Sequence, residues 1–251
     1  MSAVKQLDGY TASYTPKFPH FEENFITHVA YGERIADYIR SNDIHSAMSL
    51  GIGHTEVAQR ILATINNGPL RRYVVVDGSR QIIEGFRQSL GQTSPSGLEI
   101  IEGFFETFAV PHRFDIIEAG FILEHVDDPA FILRRLHEFL APGGRIFLAV
   151  PNARSLHRQL GHMAGLLDDM YVLSPSDFAL GHKRYFDVEA ISTLIRDAGF
   201  DVAKTEGMFL KPFTTGQLNT LNLPPAVWQA LMKISAGYPD LSNAIYIEAT
   251  A

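Results

Sequence analysis

The residues whose spacing carries the most chemistry begin with one glycine-bearing loop, Ser49-Leu50-Gly51-Ile52-Gly53-His54-Thr55. Glycine at 51 and 53 lets the main chain turn sharply and lets a ligand approach the backbone. A helix starting just after the loop would present free N–H groups. Asp77 follows Gly53 by 24 residues. A carboxylate there can accept both hydroxyls of a ribose, or it can cap a helix. Gly103-Phe104-Phe105 offers an aromatic face to an adenine, or one of its rings to the core.

Two imidazoles stand further along. His125 lies in Glu124-His125-Val126-Asp127-Asp128-Pro129; it can take a proton near neutral pH or cap the turn before the proline. His182 lies in Gly181-His182-Lys183-Arg184-Tyr185-Phe186. In that stretch His182 is a second candidate base, Arg184 could hold a carboxylate or phosphate, and Tyr185 could pack on a substrate ring. The alternative is a solvated loop end. Asn152, Arg154, His157 and Arg158 could touch a substrate, although His157 and Arg158 suit an exposed helix face equally well. Tyr10 and Tyr14 could close over a ligand as a lid, or belong to a free terminus. No metal site is expected. Glu124 and His125 are ligand types, but neighbours on a helix do not share a face. There is also no His-x-x-x-His or acidic-loop spacing. With no cysteine in the chain, thiolate zinc sites, disulfides and thiol nucleophiles are excluded.

Short β-branched runs alternating with helical periods must position these residues. A helix is expected over about 21–40, from Phe21, Phe25, Val29, Ile35, Ala36 and Ile39. Strands are expected at 47–50, 73–76, 98–101, 114–119 and 145–150, with helices at 56–65, 82–90 and 129–140 between them. The second strand, Tyr73-Val74-Val75-Val76, is apolar throughout, as strands covered on both faces are. Pro142-Gly143-Gly144 reads as a turn. This alternation predicts a doubly wound parallel sheet, the Rossmann-like α/β class, with right-handed crossovers. A helix at 187–198 and strands near 200–204 and 243–248 follow. The organisation expected is a lid arm and helix over 1–40 and a cofactor-binding core over 41–150. A cap insertion over 151–186 comes next, then a return to the core over 187–251 with a second cap insertion at 208–242.

The bulk numbers narrow the function classes. The 251 residues are 46% hydrophobic, with 17 Phe and 9 Tyr, which suffices for a large core and excludes general disorder. Net charge is −7, and the Lys and Arg residues are scattered. A nucleic-acid partner, which needs a basic face, is therefore not expected. No apolar run approaches the roughly 18 residues of a membrane-spanning helix, and the N-terminal residues lack a signal-peptide core. A cytoplasmic protein without membrane insertion is expected, with a homodimer left open.

The ordered set Leu50-Gly51-Ile52-Gly53, Val76-Asp77, Glu102-Gly103-Phe104-Phe105, Phe114-Asp115-Ile116-Ile117, Leu123-Glu124-His125-Val126-Asp127-Asp128-Pro129 and Leu140-Ala141-Pro142-Gly143-Gly144-Arg145 resembles class I S-adenosylmethionine-dependent methyltransferases. It is most similar to their ubiquinone-biosynthesis-like, small-molecule branch. The resemblance covers about 45–150 well and 182–207 loosely. It implies a seven-stranded sheet whose last strand is antiparallel and S-adenosyl-L-methionine as cofactor. It implies cofactor contacts at Gly51, Gly53, Asp77, Gly78, Phe104, Phe105, Ala119 and Gly120, and places His125 and His182 as bases. Tyr14, Asn152, Arg154, Arg184 and Tyr185 are the acceptor contacts expected with it. The implied activity is methylation of a small organic acceptor, on oxygen with a histidine base, or else on a small amine. A non-catalytic cofactor binder of the same fold is the other alternative. A nicotinamide dehydrogenase is disfavoured because Glu56 and Val57 stand where later glycines of its loop would be. The chain departs from the family at Ser49, where an acidic residue usually holds the methionine end of the cofactor. It departs also at Thr55, where a third glycine is usual, and at Phe104, often acidic. Glu56 is a candidate to supply the missing charge at Ser49.

Overall fold

The computed structural model describes residues 14–91 and 95–251; Tyr10 and most of the N-terminal arm lie outside the described residues. Helix α1 (Phe21–Ser41) leads into β1 (Ser46–Leu50), α2 (Thr55–Asn67), β2 (Arg72–Asp77), α3 (Arg80–Ser89), β3 (Leu98–Glu102) and β4 (Phe114–Gly120). Then come α4 (Pro129–Phe139), β5 (Leu140–Pro151), α5 (Leu156–Met163), α6 (Pro175–Leu180) and α7 (Val188–Asp197). The chain ends with β6 (Asp201–Met208), α8 (Thr215–Thr220), α9 (Pro225–Ile234) and β7 (Ala244–Thr250).

The seven strands form one sheet in the order β3-β2-β1-β4-β5-β7-β6. The first five pair in parallel, and β7 runs antiparallel between β5 and β6. Alternate side chains feed two cores. Met48, Leu50, Val74, Val76, Ile117, Ala119, Ile146 and Leu148 enter one. Ala47, Tyr73, Val75, Ile116, Phe147, Ala149 and Tyr246 enter the other, under α1 and α2. Covering both faces explains why these strands read as continuous apolar runs. The strand order reverses direction at β1 and β4, and ligands in open α/β sheets sit outside the carboxyl ends at that point.

The structure differs from the sequence reading in three places. The Pro142-Gly143-Gly144 turn is absorbed into the start of β5 as a bulge: the register on β4 jumps from Phe114–Leu140 to Ile116–Arg145. Strand β6 runs on to Met208, because antiparallel pairing with β7 continues to Ala244. The aperiodic stretch 151–186 contains α5 and α6. Helix α6 is only six residues long and is fixed by a Ser174–Asp177 capping box and by Gly181 in the left-handed region beyond its end, signals that a periodicity search passes over.

Candidate functional site

A cavity of about 1110 Å³ opens at the carboxyl ends of β1, β2 and β4. It exceeds the roughly 300–1,000 Å³ of ordinary ligand sites, which leaves room for two molecules side by side. The glycine loop forms one wall. Gly51 and Gly53 have φ of 81° and 45°, a region that residues with a Cβ rarely adopt. The Tyr14 ring stands over Gly53, where an added Cβ would meet it at 3.7 Å. Its edge also meets the His54 ring, 5.1 Å between centroids. Tyr14 is thus packed on the loop.

Asp77 ends β2 and accepts hydrogen bonds from Ile52 N (2.8 Å) and Ser79 N (2.8 Å). It does not cap α3; the cap is Ser79, whose hydroxyl accepts from Ile82 N. Asp77 therefore braces the glycine loop while lining the cavity beside Gly78. Phe104 is 37% exposed and Phe105 leans on the core, yet both line the cavity. Gly120 lines it too, and no larger residue fits there, since a Cβ would lie 2.3 Å from the Tyr31 ring. The structure corrects the reading of Ala119: strand alternation turns its side chain into the core, away from the cavity.

Ser49 is buried, and its hydroxyl pairs with that of Tyr73 at 2.7 Å. An acid stands one strand away. Glu118 on β4 is the cross-strand partner of Ser49, is buried, and lines the cavity. Its Oε1 accepts from Gly120 N at 2.7 Å. Burial pushes the Glu118 carboxyl up to about 7, against the Gly120 N hydrogen bond and the neighbouring Ser49 and Tyr31 hydroxyls, which hold it down. Glu56 does not line the cavity. The signal for Glu118 was present in the sequence, as an acid set between Ile117 and Ala119 near the end of a largely apolar strand.

The far end of the cavity is built by the β4–α4 turn and the 181–186 segment. Lys183 N donates to Glu124 O at 2.8 Å, docking that segment on the turn. His125 and His182 then lie 4.9 Å apart, ring to ring, and both line the cavity. His182 Nδ1 sits 3.0 Å from Asp177 Oδ1. Asp177 also accepts from Ser174 and from the Tyr185 hydroxyl. Although burial opposes it, the hydrogen bonds from His182 and Ser174 hold the Asp177 carboxyl below the usual carboxylate range. Burial drives His125 down to about 3, so it is neutral at physiological pH.

Two expected substrate contacts are corrected. Arg184 is spent on the carbonyls of Leu123, Val126 and Asp127 and does not line the cavity. Arg154 is exposed outside it. Asn152 lines the cavity but works as a brace: its Nδ2 donates to Pro239, Asp240 and Ser242 carbonyls, and its Oδ1 accepts from Arg154 N. Tyr185 lines the cavity under the Arg158 guanidinium, 4.4 Å from the ring.

Sequence reasoning missed a buried ion pair in the wall. Lys211 Nζ lies 2.8 and 3.0 Å from the Glu23 oxygens and 3.1 Å from Thr215 Oγ1. Lys211 and Glu23 are 188 residues apart in sequence, so no local pattern marks the pair.

A doubly wound sheet with a glycine loop, an acid after β2 and a two-molecule cavity at the switch in strand order defines the Rossmann-like, nucleoside-cofactor class. A methyltransferase-domain family model matches residues 11–205. The chain belongs to the class I, S-adenosylmethionine-dependent methyltransferase family. It is 27% identical over 110 residues to a ubiquinone biosynthesis O-methyltransferase of Pseudomonas paraeruginosa, a match covering 42% of this chain and 44% of that protein. It is 29% identical over 100 residues to the protein of the same name in Neisseria meningitidis serogroup C, covering 40% and 41%. The match thus spans less than half the length of these curated relatives. Among solved structures, the magnesium protoporphyrin IX methyltransferase of Synechocystis PCC 6803 with bound S-adenosylhomocysteine superimposes with a TM-score of 0.62 at 14% identity, covering 98% and 94% of the two chains. A Haloferax volcanii putative methyltransferase complexed with its Trm112 activator gives 0.60 at 16%, covering 96% and 97%. At these identities the likeness concerns the fold.

Proposed function

We propose that the protein binds S-adenosyl-L-methionine in the half of the cavity under the glycine loop and methylates an oxygen of a small organic acceptor in the other half. The observation that carries this reading is the buried Glu118 carboxylate beside Ser49. Among the described residues Glu118 has no ion-pair partner; a buried carboxylate without a counter-ion is costly, and the cationic methionine end of the cofactor would offset that cost. The residues present fit the rest of the cofactor. Asp77 sets a carboxylate at the end of β2 for the ribose, Phe104 is partly exposed to the cavity for the adenine, and Gly120 keeps its stretch of cavity wall free of a side chain.

When bound, the cofactor supplies a methyl group on a sulfonium whose leaving group is a neutral thioether, so the protein mainly aligns the acceptor. The Asp177–His182 pair supplies the base. Asp177 takes the Nδ1 proton side of the ring, leaving the Nε2 lone pair for the proton of the acceptor hydroxyl. His125, neutral and half-buried, positions the acceptor. His157, Tyr185 and Lys211 line the acceptor half and suit an oxygen-bearing molecule.

Titration calorimetry with S-adenosylmethionine and S-adenosylhomocysteine tests the reading, followed by transfer of labelled methyl to a panel of hydroxylated small molecules. One-to-one binding of both is expected. No heat from either overturns the proposal.

A further inference from the structure

We propose that Glu124, His125 and His182 form a binding site for one divalent first-row transition-metal cation, open to the acceptor half of the cavity. One carboxylate oxygen and one nitrogen from each imidazole all lie within 4.8 Å of one another. Bond lengths of about 2.0–2.2 Å to such a cation set its ligands roughly 3–4 Å apart, so small side-chain rotations complete the set. All three residues line the cavity, which leaves the remaining coordination positions facing it.

The strongest sign of a missing partner is Glu124. The residue is fully buried, and among the described residues neither of its carboxylate oxygens has a hydrogen-bond partner. A buried acid with both oxygens unsatisfied is costly, and a cation supplies what both lack. One imidazole is already oriented as ligands usually are, with a ring nitrogen tied to a second group: His182 Nδ1 is held by Asp177 at 3.0 Å. The His125 ring meets it edge-on, 4.9 Å between centroids. Charge also balances: the Glu124 and Asp177 carboxylates together match a divalent ion. The nearby cations are occupied elsewhere, Lys183 Nζ on Asp127 at 2.5 Å and Arg184 on three backbone carbonyls.

The backbone explains how adjacent residues converge. Residues 122–126 form a tight turn, with His125 N and Val126 N both donating to Ile122 O (3.0 and 3.3 Å). On such a turn, unlike a helix, neighbours 124 and 125 can face one point. The Lys183–Glu124 backbone bond then sets His182 opposite them. Two imidazoles and one carboxylate, with no thiolate, suit zinc, iron, cobalt or manganese better than a soft ion. A cation there acts as a Lewis acid on an acceptor oxygen, and His182 then serves as its ligand in place of acting as the base. The site's placing beside an acceptor rests on the methyltransferase reading; cation uptake does not.

Chelator-treated protein is titrated with zinc, manganese and cobalt chlorides by calorimetry, and the cobalt form is read by its visible d–d absorption. One equivalent of zinc or cobalt is expected. Glu124→Gln and His182→Ala should each weaken uptake by more than about 100-fold, beyond the roughly 10–100-fold that loss of a supporting partner costs. Asp177→Asn should weaken it within that lower range. S-adenosylmethionine affinity, measured on the same samples, verifies that the variants fold and judges the methyltransferase reading separately. Wild-type protein that takes up no cation, or variants that take it up as tightly as wild type, would overturn the site.

Discussion

Ser49 and Glu118 are direct cross-strand partners on β1 and β4, and the carboxylate expected on the first strand stands on the second. Both side chains point to the α1 side of the sheet, where Tyr31 and Tyr73 surround them. A charge moved by one strand, about 5 Å, still reaches the same end of the cavity.

The first prediction concerns that acid. Glu118→Gln should weaken S-adenosylmethionine binding by about 1–3 kcal/mol, the range of a charged hydrogen bond. Because burial raises the free carboxyl to about 7, a cationic ligand must drive its proton off at lower pH. Wild-type affinity should rise as pH is raised through about 7, with proton release on binding below that value, whereas the Gln variant should show a flat profile. For the free protein the sign is opposite. The folded state binds this proton more tightly than the unfolded chain, so the Glu118 contribution to stability is greatest below about 4.5 and is lost as pH rises through about 7. Calorimetry in two buffers of different ionisation enthalpy measures the proton release; an unchanged affinity in the variant would place Glu118 outside the cofactor site.

Asp77→Ala removes the proposed ribose acceptor and also the partner of Ile52 N. Cofactor affinity should fall by about 1–3 kcal/mol and thermal stability should fall with it, since a buried N–H is left unpaired. A loss of stability with an unchanged dissociation constant would reduce Asp77 to a loop brace.

Gly120→Ala places a methyl group against the Tyr31 ring at 2.3 Å. Overpacking of this kind costs about 1–3 kcal/mol, and Tyr31 must release its hydrogen bond to Phe147 O, 2.9 Å long, to move away. Denaturant unfolding measures the cost. A wild-type midpoint would show that the Tyr31 ring has free space behind it.

Lys211→Met leaves Glu23 buried with its counter-ion gone. Breaking one half of a buried pair costs about 3–5 kcal/mol, whereas the double change Glu23→Gln with Lys211→Met should recover most of it. A double-mutant cycle by thermal unfolding reads the coupling, and additive losses would mean that the pair does not act as a unit.

His182→Ala should lower methyl-transfer turnover by about 100-fold or more while leaving S-adenosylmethionine affinity near wild type, because the ring lies at the acceptor end. An equal loss of cofactor affinity would show that the residue supports the whole cavity instead.

Residue order alone determined the parallel part of the fold, the glycine loop, Asp77 and the family. Each is a local pattern: apolar runs of strand length, helical periods, and glycines at a strand end, whose physics acts within a few residues. The antiparallel β7 and the cofactor came with the family resemblance. Tertiary structure decided what depends on distant parts of the chain meeting. It turned Ala119 to the core and Gly120 to the cavity, committed Arg184 to backbone carbonyls, and set Lys211 against Glu23. The loop at Ser49 shows the division best. Its sequence displays a lost charge, but strand pairing puts Glu118 beside it, and pairing between β1 and β4 is a non-local choice that β-strand patterns do not encode. Glu124, His125 and His182 gather for the same reason. The turn at 122–126 breaks the helical geometry that would have kept two neighbours apart, and a backbone bond across 59 residues, from Lys183 to Glu124, brings in the third.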